Sequence, residues 1–115
     1  MSLQEFREFR ERMNARILDA GNLDIRRFFA LDDRVYHDGA LPTRTKELLG
    51  LVASLVLRCD DCVSYHLVRC AEEGFSDDEI IEALGVGLVV GGSITIPHLR
   101  RAVATLDEIR SAQST

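Results

Sequence analysis

The feature that most limits the fold of this 115-residue chain is residues 48–57, which are apolar on almost every face of a helix. A helix without a polar face is buried on several sides, so it should lie at the centre of a packed domain. Glu47 directly precedes the segment and is the first charge met on entering it. The rest of the chain must therefore supply helices that cover this one.

Apolar residues recur at three- and four-residue spacing through most of the remaining chain, which is typical of amphipathic helices. Ser76 and Glu79 form a capping box that predicts the sharpest helix start. Alternating β-α-β order is absent, so we predict an all-α fold of about six helices and exclude a thioredoxin fold. The first two predicted helices run from about residue 3 to 19 and from about 24 to 36. Residues 41–43 open the third, which continues to about 57, and the fourth begins inside the C-x-x-C and runs to about 73. The fifth starts at the capping box and continues into the glycine-containing stretch 85–92, and the sixth starts at Ser93 or Thr95.

Nothing in the chain indicates a second domain, since it has two prolines and no low-complexity tract. We predict one domain over residues 1–115, with a core at 41–110. Residues 1–40 form an N-terminal helical extension that packs on the core or on another subunit. Glycines in residues 85–92 would let another helix approach closely and indicate a subunit contact, so we expect a homo-oligomer.

The overall charge and the cysteine count restrict partners and location. A net charge of -5 argues against nucleic acid or an anionic membrane as partner, because both need a basic face. The N-terminal residues lack the apolar region of a signal peptide, and the apolar run at 84–90 is too short to span a bilayer. Three cysteines do not suit a secreted disulfide framework. We therefore expect a cytoplasmic protein whose C-x-x-C pair is catalytic or metal-binding.

Cys59, Cys62 and His66 form a C-x-x-C-x-x-x-H pattern, and on a helix these side chains lie along one face. Two thiols placed in this way can be oxidised to a disulfide and reduced again, and the imidazole can accept the proton of Cys62. A tight turn should make the third and fourth helices antiparallel, which puts Glu47 roughly one helical turn from His66. A carboxylate there could reach His66 through a water molecule and stabilise the imidazolium.

Two opposing charge effects act on the predicted dithiol. The backbone N–H groups at a helix N-terminus favour a thiolate at Cys59 or Cys62. The carboxylates of Asp60 and Asp61 raise the cost of a neighbouring anion. We therefore expect a less acidic thiol pair, and a less oxidising disulfide, than in a C-x-x-C flanked by neutral residues.

Two other interpretations of the same residues stay open at this point. Cys59, Cys62 and His66 could be small buried side chains with a core histidine. They could also bind zinc together with Glu47 or Cys70, although ligands on one helix close a tetrahedron poorly. Taken singly, Cys70 is typical of a buried apolar residue, and His98 has no assigned role.

Glu47, Cys59, Cys62 and His66 reproduce an E-x(11)-C-x-x-C-x-x-x-H motif. With this motif the chain resembles the AhpD-like alkylhydroperoxidase branch of the carboxymuconolactone decarboxylase superfamily. The resemblance runs over residues 41–92 and includes the segment G-F-S-D-D-E-I-I-E-A-L. This chain has Asp61 where members often carry a histidine immediately before the second cysteine.

The resemblance implies an AhpD-like all-α fold, assembled as trimers or hexamers. It implies that Cys62 is the reactive cysteine, that Cys59 resolves its oxidised form, and that His66 and Glu47 relay the proton. Reducing equivalents would pass from an external dithiol to a peroxide or a protein disulfide, and neither a metal nor another cofactor is needed.

We therefore predict an antioxidant oxidoreductase of the peroxiredoxin type, working as a thiol-dependent peroxidase or disulfide reductase. The superfamily also contains decarboxylases that lack the cysteine pair. The main alternative function is accordingly a cofactor-free decarboxylase, in which His66 and Glu47 act as acid–base catalysts and the cysteines have no catalytic role. A non-enzymatic oligomeric binding module is a further alternative.

Overall fold

The computed structural model describes residues 2–114, and within that range it contains helices and no strands. The predicted all-α class is therefore confirmed, and most predicted helix bounds lie within a residue or two of those observed. A short 3₁₀ turn, Ser93–Thr95, precedes the last helix. The six α-helices are α1 (Leu3–Asp19), α2 (Leu23–Val35), α3 (Thr43–Val56), α4 (Asp60–Glu72), α5 (Asp77–Gly91) and α6 (Ile96–Gln113).

The chain divides into two compact units, one ending at Thr43 and the other beginning at Arg44. In the first unit, the Asn22 side chain accepts a hydrogen bond from the Ile25 N–H and starts α2. Arg26 donates from Nε to the Leu18 carbonyl oxygen 2.9 Å away, which ties α2 to the end of α1. Two predictions remain untested: that residues 1–115 form one domain, and that an N-terminal extension ends at residue 40.

The second unit has a core built from one apolar stripe on each of its helices. α3 and α4 are antiparallel neighbours in sequence, while α5 and α6 supply the remaining buried side chains. Its fully or almost fully buried apolar residues include Leu51, Leu55, Leu67, Ile80, Leu84, Ala102 and Leu106. This core holds α3 and α4 side by side.

The capping box predicted at the start of α5 is present. The Glu79 N–H donates to Ser76 Oγ at 3.1 Å, and the Ser76 N–H donates to Glu79 Oε1 at 2.9 Å. Arg110 of α6 donates to Asp77 Oδ1 and to the Phe75 carbonyl oxygen, so the start of α5 is also tied to α6. These bonds satisfy backbone groups that a helix start leaves without partners.

The apolar segment 48–57 is buried on one side rather than on several, which corrects the prediction made for it. Leu51 and Leu55 are fully buried, but Leu49 and Leu57 are 55% and 77% exposed. Among the described residues of this segment, the buried ones, Leu51, Ser54 and Leu55, share one face of α3, and Leu49 lies on the opposite face. Among residues 2–114, no helix is long and apolar enough to cross a membrane.

Candidate active site

A disulfide between Cys59 and Cys62 lies at the start of α4. Their Cα atoms are 5.3 Å apart, within the ordinary range for a disulfide. Cys59 is the N-cap residue of α4, and its Sγ accepts a hydrogen bond from the Cys62 N–H at 3.3 Å. Cys62 is exposed and Cys59 is partly exposed, so the pair is open to reagents from solution.

The turn that delivers Cys59 to this position is a Schellman motif at the end of α3. The Arg58 N–H donates to the Leu55 carbonyl oxygen at 2.9 Å, and the Cys59 N–H donates to that of Ser54 at 3.1 Å. Arg58 has a φ of 60°, the left-handed conformation that usually calls for glycine here. The motif fixes the backbone immediately before the cysteine pair.

His66 lies one turn after Cys62 on α4 and contacts Glu47 of α3 directly. The distance from Nδ1 of His66 to Oε2 of Glu47 is 3.0 Å, a direct contact instead of the water-mediated one that was predicted. Glu47 is 2% exposed and His66 is 7% exposed. A buried carboxylate is stable only when it is paired, so this contact orients the imidazole as well as satisfying Glu47. The rings of Tyr65 and His66 form a T-shaped pair, with their centroids 5.0 Å apart.

Arg69 is a site residue that the sequence analysis did not identify. Its Nε lies 3.6 Å from Oε1 of Glu47, and its NH1 donates to Glu72 at 2.6 Å. Burial by itself would lower the pKa of Arg69, but the bond to Glu72 and the charge of Glu47 raise it above the usual value. Arg69 therefore stays charged and balances the buried carboxylate. Its position three residues after His66 is the sequence signal that could have revealed it.

Cys70 is the one free cysteine, and it is completely buried. Burial, together with the charge of Glu47, raises the pKa of its thiol to about 12. Because the thiolate is the nucleophilic form, this thiol is inert at neutral pH. The interpretation of Cys70 as a buried apolar residue agrees with this environment.

A second polar cluster joins the cysteine pair to α6. Asp60, between the two cysteines in sequence, accepts from His98 Nδ1 at 2.8 Å through Oδ1 and from Arg101 NH1 at 3.1 Å through Oδ2. Asp61 is exposed. From the sequence, Asp60 was expected to carry a negative charge without partners. Its partners are 38 and 41 residues away, so the local sequence pattern could not predict them.

The structure brings Glu47, His66 and the disulfide-bonded cysteines to adjacent turns of α3 and α4, while their catalytic roles stay predictions. Within residues 2–114, no group of three or more histidine, cysteine, aspartate or glutamate side chains is arranged to hold a metal ion. The geometry consists of an exposed disulfide at the start of α4, with a buried carboxylate–imidazole pair one helical turn further along.

A family profile described as the carboxymuconolactone decarboxylase family matches residues 25–105. The chain is 35% identical over 85 residues to "Uncharacterized protein 4 in cox locus" of Paracoccus denitrificans, covering 74% of this chain and 77% of that one. It is also 27% identical over 74 residues to uncharacterized protein H16_B0147 of Cupriavidus necator, covering 64% and 66% of the two chains.

The fold is similar to that of solved structures. The crystal structure of TM1620 from Thermotoga maritima has a TM-score of 0.93 and 58% identity, covering 96% of this chain and 97% of that one. In a second crystal structure, TM1620 is described as a carboxymuconolactone decarboxylase family protein with a suggested involvement in the antioxidative response. The crystal structure of apo-lpg0406 from Legionella pneumophila is 20% identical, with a TM-score of 0.84. The match covers 93% of this chain and 96% of that one, and at this identity it shows similarity of fold alone.

Proposed function

Because this chain belongs to the carboxymuconolactone decarboxylase family, we propose that it is a thiol-dependent peroxidase or disulfide reductase of the AhpD-like kind. The observation that carries the proposal is the Cys59–Cys62 disulfide at the start of α4, with His66 one turn away and paired to Glu47. The suggested antioxidative involvement of TM1620, which is 58% identical, supports the same chemistry.

The first step is removal of the Cys62 proton by His66. Nδ1 of His66 faces the Glu47 carboxylate, so in the neutral imidazole Nδ1 carries the hydrogen and Nε2 is the basic nitrogen. When Nε2 takes the proton, Glu47 stabilises the resulting imidazolium from the other side of the ring. Proton transfer of this kind contributes about 10²–10⁴ in rate.

The Cys62 thiolate then attacks one oxygen of a hydroperoxide, forming a sulfenic acid. The O–O bond breaks, and the alkoxide leaves as an alcohol after taking the proton from His66. The Cys59 thiol attacks the sulfenic sulfur, forms the Cys59–Cys62 disulfide and releases water. An external dithiol reduces the disulfide by exchange and becomes a disulfide itself, which restores both thiols.

A protein disulfide can replace the peroxide in the same cycle. The Cys62 thiolate attacks one of its sulfurs and forms a mixed disulfide, which Cys59 resolves while the partner's second thiol leaves. The exposure of Cys62 supports access for a molecule of this size. We also propose that the protein works as a homo-oligomer in the cytoplasm, where a dithiol donor is available.

Mass spectrometry of alkylated protein tests the proposal. The reduced protein should carry two reactive thiols, and both should be lost after one equivalent of peroxide or of a small disulfide. Cys59 and Cys62 should then appear in one crosslinked peptide. Cys62→Ser should leave Cys59 alkylatable under the same treatment. If both wild-type thiols stay alkylatable under excess of either oxidant, the proposal is wrong.

The buried Glu47–His66 pair also suits the rival decarboxylase, because acid–base work on a substrate needs no sulfur. The two functions respond differently to substitution. Decarboxylation should survive Cys62→Ser and be lost in His66→Ala, whereas thiol turnover should be lost with either change. Assaying both variants against a peroxide and against a β-keto acid decides between them.

A further inference from the structure

The polar cluster of Asp60, His98 and Arg101 has no part in the proton relay described above. Asp60 is the first residue of α4 and lies inside the ring that the Cys59–Cys62 disulfide closes. Consecutive Cα atoms are about 3.8 Å apart, so Asp60 stays next to Cys59 and two residues from Cys62 whatever the redox state. Its charge therefore acts on any thiolate formed there.

Both oxygens of the Asp60 carboxylate are engaged by α6. Oδ1 accepts from His98 at 2.8 Å, and Oδ2 accepts from Arg101 at 3.1 Å. Nδ1 of His98 must carry its hydrogen to make this bond, so His98 is a donor in either protonation state. The side chains of Asp60 and His98 are 33% and 24% exposed, which limits the screening of their contact by solvent, whereas that of Arg101 is 73% exposed and its charge is screened more strongly.

We propose that His98 and Arg101 are positioning residues for the dithiol, which hold Asp60 and cancel its negative charge beside the sulfurs. With the cluster intact, a thiolate at Cys62 meets a neutralised carboxylate and the favourable N-terminus of α4. Without it, the thiolate would face an uncompensated anion. The cluster thus sets how readily the pair becomes nucleophilic, a role that rests on the proposed function of that pair.

An electrostatic role and a purely structural role of the cluster predict different effects of two substitutions on the stability of the thiolate. Arg101→Gln leaves the Asp60 charge uncompensated and disfavours the thiolate. Asp60→Asn leaves Arg101 uncompensated near the sulfurs and favours the thiolate. A cluster that merely anchors the start of α4 would be broken by either change, and both variants would then shift in the same direction.

The experiment measures the rate at which neutral iodoacetamide alkylates Cys62 in the reduced protein, as a function of pH. At pH 7 we expect Arg101→Gln to slow alkylation about two- to fivefold and Asp60→Asn to speed it by a similar factor, the range of a partly exposed ion pair. His98→Ala should act in the same direction as Arg101→Gln. The double variant of Asp60→Asn with Arg101→Gln should return close to wild type.

Arg100→Gln is the matched control, since it removes the same charge from the neighbouring exposed position of α6. It should leave the alkylation profile unchanged. Rates at high pH, where the thiolate is fully formed, report access to the sulfur and correct for any change in exposure.

The inference would be overturned if the alkylation rate of Cys62 changed in the same direction in Arg101→Gln and Asp60→Asn, or changed in neither variant. A failure of the proposed function looks different. In that case the shifts appear as expected, but the wild-type thiols do not react with peroxide or with a disulfide.

Discussion

At the scale of single residues, Glu47 is the side chain on which the proposed site depends most. It is almost completely buried and is shared between His66 at 3.0 Å and Arg69 at 3.6 Å. Removing one partner from a buried ion pair leaves the other charge unpaired, at a cost of about 3–5 kcal/mol. The proposed proton relay depends on its contact with His66.

We predict that Glu47→Gln slows oxidation of the reduced protein by peroxide at least about tenfold, because the amide cannot stabilise the imidazolium of His66. It should also lower the midpoint of thermal unfolding. Stopped-flow measurement of thiol loss gives the rate. Glu72→Gln is the control, since it removes the exposed carboxylate partner of Arg69 and should change stability by no more than about 1 kcal/mol. Equal oxidation rates in the two variants would contradict the relay.

Cys70 should be inert in the folded protein. With a pKa of about 12, its thiolate fraction at pH 8 is about 10⁻⁴, and the sulfur is completely buried. Differential alkylation followed by mass spectrometry should label Cys59 and Cys62 in the reduced native protein, and all three cysteines in denaturant. Cys70→Ala should keep the peroxide rate of wild type. Labelling of native Cys70 at the rate of Cys62 would refute this.

At the scale of elements, α3 and α4 end in the same Schellman motif but with different residues in the left-handed position. After α4 this residue is Gly74, with a φ of 85°, and after α3 it is Arg58, with a φ of 60°. A residue with a side chain pays roughly 1–2 kcal/mol for this conformation. The turn that presents the cysteine pair therefore carries backbone strain that the equivalent turn after α4 does not.

We predict that Arg58→Gly raises the free energy of unfolding by about 0.5–1 kcal/mol, because it removes this strain at some cost in chain entropy. Gly74→Ala is the matched opposite change and should lower it by about 1 kcal/mol, since a Cβ there meets no atom within 4 Å and only the conformation is affected. Urea unfolding of the two variants measures both. Destabilisation by Arg58→Gly would show that the arginine side chain stabilises the turn in another way.

The capping box of α5 should make stability depend on pH in the acid range. The hydrogen bond with the Ser76 backbone holds the pKa of Glu79 below its ordinary value of 4.5. A carboxyl with a lowered folded-state pKa contributes fully above its unfolded pKa, and the contribution is lost as pH falls through the folded value. Glu79→Gln should therefore have a lower unfolding temperature than wild type at pH 7, and this difference should shrink as the pH is lowered towards 3.

Glu82→Gln, on the same helix outside the capping box, is the control for Glu79→Gln. The difference in unfolding temperature between Glu82→Gln and wild type should be the same at pH 7 and near pH 3. A gap between wild type and Glu79→Gln that persists unchanged in acid would show that the ionised capping box is not its source.

At the scale of the whole molecule, the chain leaves apolar surface that its own helices do not cover. Val86, Val89 and Val90 of α5 are 59%, 84% and 71% exposed, and they line a shallow groove with Glu82 and Gly85. Apolar patches of this kind mark protein contacts. They lie in the segment 85–92, where the sequence analysis placed a subunit contact.

We predict that this α5 surface binds a second copy of the chain. Val89→Glu should lower the molar mass measured by light scattering after size-exclusion chromatography, because a charge would have to be buried in the contact. Ala104→Glu, on the exposed face of α6, adds the same charge elsewhere and should leave the mass unchanged. A wild-type protein with the mass of one chain would rule out this assembly.

Helix positions and the spacing of Cys59, Cys62 and His66 could be predicted because they depend on local geometry. A residue three or four positions along a helix lies on the same face wherever that helix packs. The prediction that residues 48–57 are buried on several sides was wrong, because the number of neighbours around a helix is a property of the packed molecule and of any further subunits.

The sequence by itself therefore determined the helices, the all-α class and the one-sided array of two sulfurs and an imidazole. Only the tertiary structure decided that Glu47 touches His66 directly, that Arg69 shares this carboxylate, and that Asp60 is held by His98 and Arg101 from α6. The physical reason is that such contacts depend on how far each helix is rotated and shifted against its neighbours. Packing of the whole core sets those rotations, and a local pattern carries no record of them.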